Sequence, residues 1–192
     1  MSGNAANGFY TTAAGCVSIA NFVYLALLDA LRPAILQSKK QSQAKFEKGI
    51  SGLYSLIIFV TLAQSIFTIL FARPIVLLLY GEGYLQAVPV LRIEAWILTF
   101  SYIGSVRDIW ILAEEKHHFL WIINLGGVMV NILLNSLLIP VWGASGAAAA
   151  TVITQFAANV VMGFLIKPMR QSMHLMLKGV NPKTMLNLLE KR

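Results

Sequence analysis

The chain has 192 residues, 57% of them hydrophobic and only 12% charged, with a formal net charge of +7 and a mean hydropathy of +0.70. Soluble domains usually carry about a quarter of their residues as charges, so composition excludes an ordinary soluble fold. The positive charge does not point to nucleic acid, because no basic run is interleaved with exposed aromatics, and the single Cys16 rules out an internal disulfide.

A helix needs roughly 20 apolar residues to cross a bilayer core, and this chain supplies about five such runs. They predict an all-α membrane protein, with a transmembrane domain over 1–166 and a basic amphipathic tail over 167–192. The opening MSGNAANGFY has no basic segment ahead of an apolar core, so no secretory signal is read there. The first span covers about 8–36 and carries Asp29, Arg32 and Pro33 toward its end. Residues 37–48 (QSKKQSQAKFEK) read as a polar, basic loop, and the second span covers about 50–71. Next comes a corner at the membrane surface. Pro74 suits the first turn of a short helix, and Gly81 and Gly83 mark a turn. The third span covers about 87–113, the loop EEKHH follows, and the fourth covers about 119–141. The fifth, about 144–166, begins after a turn too short to hold a domain, so spans four and five are antiparallel neighbours. Gly143, Gly146 and Ala147 to Ala150 give span five a small-residue face that permits close packing. In the tail, Met169, Met173, Met176 and Leu177 share one helical face and predict a helix lying on the membrane surface. Asn181 and Pro182 read as the cap and first position of a last short helix.

Loops alternate sides, so orientation follows from counting. One side receives Lys39, Lys40, Lys45, Lys48, Lys116, Lys167, Arg170, Lys178, Lys183, Lys191 and Arg192; the other receives Arg73 alone. The positive-inside rule places the first group in the cytoplasm, with the C-terminus inside and the N-terminus outside. An amino end across the membrane with no preceding signal leads to the expectation that Met1 is not the start of the functional protein.

Polar residues recur along the spans at helical spacing. They are Ser18, Asn21, Asp29 and Arg32 in the first span, and Tyr54, Thr61, Ser65 and Thr68 in the second. The fourth has Asn124, Asn131 and Asn135, and the fifth has Thr151, Gln155 and Asn159. Such groups serve either as hydrogen-bonding glue between helices or as the lining of a path for a polar cargo. The third span is the stronger case for a path. It holds Arg92, Glu94, Arg107 and Asp108, and a lipid-facing position for all of them is costly. Projected at 100° per residue, Glu94 and Asp108 lie about 40° apart and Arg92 and Arg107 about 60° apart. The candidate path is therefore lined by Asp29, Arg32, Arg92, Glu94, Arg107, Asp108, Asn124, Asn131, Asn135 and Gln155. Arginine forks suit phosphate and carboxylate groups.

Enzyme signatures are missing from the sequence. There is no HExxH, GxSxG or GxxxxGK[ST], and His117 and His118 beside Glu114 and Glu115 read as a solvated loop rather than a metal site. The chain is read as a non-enzyme that needs no cofactor or metal.

Three stretches resemble one family. NGFYTTA with a later LRP resembles the "GxYxxA…P" helix of bacterial polysaccharide flippases, and LLLYGEGYLQAVPVLRI is similar to their "llfGxeYxxAxxvLri" corner. NILLNSLLIPVWGASGAAAAT resembles their "NxxLNxxLIPxxGxxGAAxAT" signature, the most specific of the three. Together they cover about 7–166. The family is the O-antigen and capsule flippases of the multidrug/oligosaccharidyl-lipid/polysaccharide exporter superfamily. The resemblance implies twelve helices in two lobes around a cavity, of which this chain supplies the last five. It implies alternating-access transfer of an undecaprenyl-diphosphate-linked oligosaccharide across the bacterial inner membrane, with polymerase and other assembly proteins as partners. It makes Arg32, Arg92 and Arg107 candidates for the diphosphate, by position within spans alone. The alternatives are a cation-coupled multidrug exporter of the same superfamily and a non-transporting scaffold of a polysaccharide assembly complex.

Overall fold

The computed structural model describes residues 4–181, and side chains from residue 7 onward. Among the described residues every regular element is helical: α1 Asn4–Gln41, α2 Gln43–Leu70, α3 Ala72–Tyr80, α4 Ala87–Glu94, α5 Ile97–Ala113, α6 His118–Phe156, α7 Met162–Leu165 and α8 Arg170–Gly179. Four helical stretches are long and apolar enough to cross a membrane: Asn7–Gln41, Gln43–Leu70, Ala87–Ala113 and His118–Leu165. The chain is an all-α membrane protein.

Residues 37–48 are not a loop. Helix runs to Gln41 and resumes at Gln43, with Ser42 alone extended (φ −167°, ψ 150°) and its Oγ accepting the Lys45 N–H at 3.2 Å. That is an N-cap. Glutamine, lysine, alanine and glutamate are good helix formers, so a polar run here continues the helices on both sides of one capping residue.

α2 is the central post. Phe46, Ile50, Tyr54 and Ile57 are fully buried on it, and it packs against α1, α5 and α8. Its hydroxyl line is interhelical glue in two places: Tyr54 meets Ser172 of α8 at 2.8 Å, and Ser65 donates to the Ala95 carbonyl at 2.6 Å. The corner after α2 is as expected. Pro74 lies in the first turn of α3, and Gly81 ends that helix at φ 83°, ψ −179°, a conformation open to glycine.

The third span is broken. α4 and α5 are separated at Ala95 and Trp96, where the Trp96 N–H bonds the Ile93 carbonyl three residues back, at 3.3 Å. The Ser65 hydroxyl on α2 takes up the Ala95 carbonyl, as does Thr99 the Ser65 oxygen at 3.2 Å.

The longest apolar stretch, His118–Leu165, reverses on itself at Gly143 (φ 54°, ψ −126°). Asn131 Nδ2 lies 3.3 Å from Thr154 Oγ1, whereas a straight helix would put those positions about 34 Å apart. The arms 118–142 and 144–165 are antiparallel, and each is about 33 Å or longer at 1.5 Å per residue. Gly146 makes the tight approach possible: a Cβ there would fall 2.2 Å from the Leu138 carbonyl oxygen. Further along, the second arm passes through a π-helical turn, Ala157–Val161.

α8 spends its apolar face on protein rather than on lipid. Met169 and Met173 are fully buried and Met176 nearly so, while Leu177 is exposed. Met173 fills the space above Gly163, and Gly179 sits against the Ser51 carbonyl of α2. Of the expected last short helix, Asn181 is exposed and Pro182 lies outside the described residues, as do Lys183, Lys191 and Arg192.

The α1–α2 corner, the 114–117 loop and the start of α8 meet at one end of the bundle. Lys39 pairs with Glu114, the Lys116 ammonium reaches the Pro168 carbonyl at 3.4 Å, and Gln171 donates to Glu47 at 2.9 Å. Burial alone would raise the Glu114 carboxyl. Hydrogen bonds from Lys39 and Gln43, with the charges of Lys39 and Lys116, outweigh it and hold the group below its ordinary 4.5. A depressed folded value means stability present above 4.5 and lost as pH falls through the folded value. Glu114→Gln should therefore lower thermal stability in detergent at neutral pH, and the difference from the unsubstituted protein should vanish in strong acid. A difference that persisted there would remove the carboxylate from the account.

Candidate functional site

Two adjoining polar grooves form the candidate site. The first, about 230 Å³, lies between α1, α4, α5 and the second arm of α6, and is lined by Tyr10, Ser18, Asn21, Glu94, Ser101 and Gln155 among others. The second, about 420 Å³, lies between the two arms of α6, where Asn124, Asn131, Thr151, Thr154, Gln155 and Asn159 share the lining with apolar side chains such as Ile123, Val128 and Ile132. Gln155 belongs to both. The larger recess between α2 and α8, about 900 Å³, carries Glu47, Lys48, His174 and Lys178. It is a mixed-charge surface hollow at one end of the bundle, away from the polar stripes.

The helix periodicity that aligned the stripes explains the lining. Asn131 and Asn135 are one turn apart and bond each other at 2.8 Å, and Asn159 donates to Gln155 at 2.7 Å across another turn. Between elements, Tyr10 of α1 and Thr151 of α6 have hydroxyls 3.5 Å apart. The Tyr102 hydroxyl lies 2.8 Å from the Asn21 carbonyl and 2.9 Å from its Oδ1. Asn124 is exposed and makes no side-chain hydrogen bond among the described residues. Its amide is uncommitted.

The charged candidates separate. Glu94 is 1% exposed and lines the first groove, with Oε1 unpartnered among the described residues. Arg92, two residues earlier, is exposed and lines neither groove. Arg107 is 2% exposed and points elsewhere. Its Nε and one terminal nitrogen donate to Asp108 Oδ1 at 3.2 and 2.9 Å, and the other terminal nitrogen donates to the Ala158 carbonyl at 3.0 Å. A π turn leaves backbone groups out of the usual i−4 ladder, and Arg107 caps one of them. Arg92 is exposed and Arg107 is buried, so the two guanidiniums do not meet in one groove. Asp29 and Arg32 stand 3.8 Å apart, each about half exposed, also outside both grooves. Asn135 lines neither groove and donates to Asn131 instead.

Sequence reasoning missed Tyr10, Ser101 and Thr154. Tyr10 lies ahead of the stripe that begins at Ser18. Thr154 neighbours Gln155 but falls off the i, i+4 line through Thr151 and Asn159. Only the closeness of the two arms of α6 brings it to Asn131.

Comparison with protein families, with curated proteins and with solved structures returns no match.

Proposed function

We propose that this chain is the C-terminal part of a flippase that moves an undecaprenyl-diphosphate-linked oligosaccharide, an O-antigen or capsule repeat unit, across the bacterial inner membrane. In this reading it crosses the bilayer five times, the two arms of α6 counting separately, with the end rich in lysine in the cytoplasm. It works by rocking against a second lobe, beside a polymerase and other assembly proteins. One observation carries the proposal beyond the motif resemblance. Each groove sets several neutral amides and hydroxyls among apolar side chains, on helices that belong in lipid, where exposed polar groups are expensive. Sugar hydroxyls both donate and accept hydrogen bonds, as do these side chains. Arg32 is half exposed, paired with Asp29 at 3.8 Å and outside both grooves, and Arg107 is engaged by Asp108 and Ala158, so a diphosphate would have to compete for either guanidinium.

Asn124 separates a path from glue, because its amide holds nothing together. In a strain whose surface polysaccharide depends on this protein, Asn124→Leu combined with Gln155→Leu should cut surface polymer about tenfold, the equivalent of roughly 1.4 kcal/mol. Membrane levels of the protein should stay unchanged. Full polymer with both amides gone would sink the reading and favour a scaffold.

A second reading, the cation-coupled multidrug exporter, is favoured by one observation: Glu94 is the charged residue in the groove linings, and no arginine joins it there.

A further inference from the structure

The first turns of α2 and the second half of α8 enclose the recess of about 900 Å³. On α2 it is lined by Glu47, Lys48 and Ser51, which share one helical face. On α8 it is lined by His174, Leu177 and Lys178, again one face. The two helices meet beside it, where a Cβ on Gly179 would fall 2.6 Å from the Ser51 carbonyl oxygen.

Its chemistry suits an anion. Lys48 and Lys178 bring two cations to the lining against one acid, Glu47. That acid is already engaged: its Oε1 accepts from Gln43 Nε2 at 3.1 Å and from Gln171 Nε2 at 2.9 Å. Ser51 is 6% exposed, and its Oγ has no hydrogen-bond partner among the described residues. A buried hydroxyl left without a partner is costly. A phosphate oxygen accepts from a hydroxyl and from an ammonium alike, and bonds of that charged kind are the strong ones.

Position selects the kind of phosphate. Residues 43–48 are polar and the apolar run of α2 starts at Ile50, so the recess lies where a membrane-spanning helix passes from water into lipid. Leu177 in the lining is 52% exposed, and Val180 just beyond it is 46% exposed. A soluble phosphate has no use for that apolar surface, whereas acyl chains cover it. Basic pockets between helices at a membrane surface are where anionic headgroups bind. We propose that this recess seats the phosphodiester headgroup of an anionic glycerophospholipid. Lys48 and Lys178 face the phosphate, Ser51 donates to one of its oxygens, and Leu177 lies against the first acyl carbons. None of these residues lines the two polar grooves. The lipid is a resident ligand rather than a cargo, so the proposal can fail while the flippase reading stands, and the reverse.

The test is native mass spectrometry of the full chain released from nanodiscs of equal phosphatidylglycerol and phosphatidylethanolamine, with matched acyl chains. Phosphatidylglycerol should be retained several-fold over phosphatidylethanolamine. Lys48→Gln combined with Lys178→Gln should lower that retention about tenfold or more, since each lysine near an anionic lipid is worth about fivefold. Both lysines are exposed, so their replacement leaves the core intact. Lys45→Gln, an exposed position on α2 outside the lining, should leave retention unchanged. Ser51→Ala should lower retention about fivefold without lowering thermal stability in lipid-free detergent, because the hydroxyl it removes holds no partner in the described fold. Equal retention of the two lipids, full retention in the double variant, or an equal loss in Lys45→Gln overturns the proposal. Displacement of phosphatidylglycerol by millimolar inorganic phosphate also overturns it, and gives the recess to a soluble phosphate instead.

Discussion

Gly146→Val should collapse the α6 hairpin and leave little folded protein. A Cβ at this position would meet the Leu138 carbonyl oxygen at 2.2 Å and the Leu138 carbonyl carbon at 2.6 Å. These are backbone atoms of the opposing arm, close to the reversal at Gly143, and no rotamer change can move them. The arms would have to separate. Separation would pull Asn131 from Thr154 and open the contact in which a Cβ on Gly127 would sit 3.3 Å from Ala158. Overpacking in a tight core costs about 1–3 kcal/mol when side chains can shift; against rigid backbone the cost should reach or exceed the top of that range. Ser145→Ala, one residue away and half-buried, should stay within about 0.5 kcal/mol. Thermal unfolding of both variants in detergent, followed by size-exclusion recovery, decides the matter. Equal recovery for Gly146→Val and Ser145→Ala would mean that the arms do not meet at Gly146.

This hairpin was the most legible part of the fold. Pro140 and Gly143 stand close together between two apolar runs, and small residues follow them. Glycine, proline and small-residue faces are local signals that survive the absence of tertiary information. The corner at Pro74 and Gly81 was legible for the same reason. Three features were not. Residues 37–48 looked like a loop because they are polar, yet polarity does not distinguish an exposed helix from a coil, and the break is Ser42 alone. The interruption at Ala95 and Trp96 has no glycine or proline behind it. It coincides with Ser65, thirty residues away, holding the Ala95 carbonyl. The methionine face of α8 was visible as a face, but an apolar face does not say whether lipid or protein covers it. In the site, the amide stripes of α6 are readable from spacing, whereas spacing does not show that Arg92 is exposed while Glu94 and Arg107 are buried apart from each other. Glu94 remains as the one charge turned into the groove.

Arg107→Met should cost stability without acting as a lesion in cargo binding. The guanidinium is 2% exposed and holds two partners at once, the Asp108 carboxylate and the Ala158 carbonyl in the π turn. Breaking a buried charged contact typically costs 3–5 kcal/mol. The Asp108 side chain is 46% exposed and so less confined than the guanidinium, and the expected loss is about 3 kcal/mol, the low end of that range. Part of it comes from losing the bond to the Ala158 carbonyl in the π turn, beside a close contact in which Gly104 leaves room for Asn159. Arg107→Lys should recover only part, because a lysine has no planar fork to span both acceptors. Asp108→Asn should cost less than Arg107→Met, about 1 kcal/mol, since an amide oxygen still accepts from the guanidinium. The ordering Met, then Lys, then Asn in denaturation midpoints is the expected result. The same variants separate a positioning residue from a diphosphate ligand. If Arg107 serves the π turn, surface polymer in a dependent strain should follow the amount of folded protein across the series. A large loss of polymer at full protein level in Arg107→Lys would instead assign the guanidinium to the cargo. The π turn carries Asn159, which bonds Gln155, and Gln155 is shared by both grooves. Damage at Arg107 therefore reaches the polar surface through the backbone that places those amides.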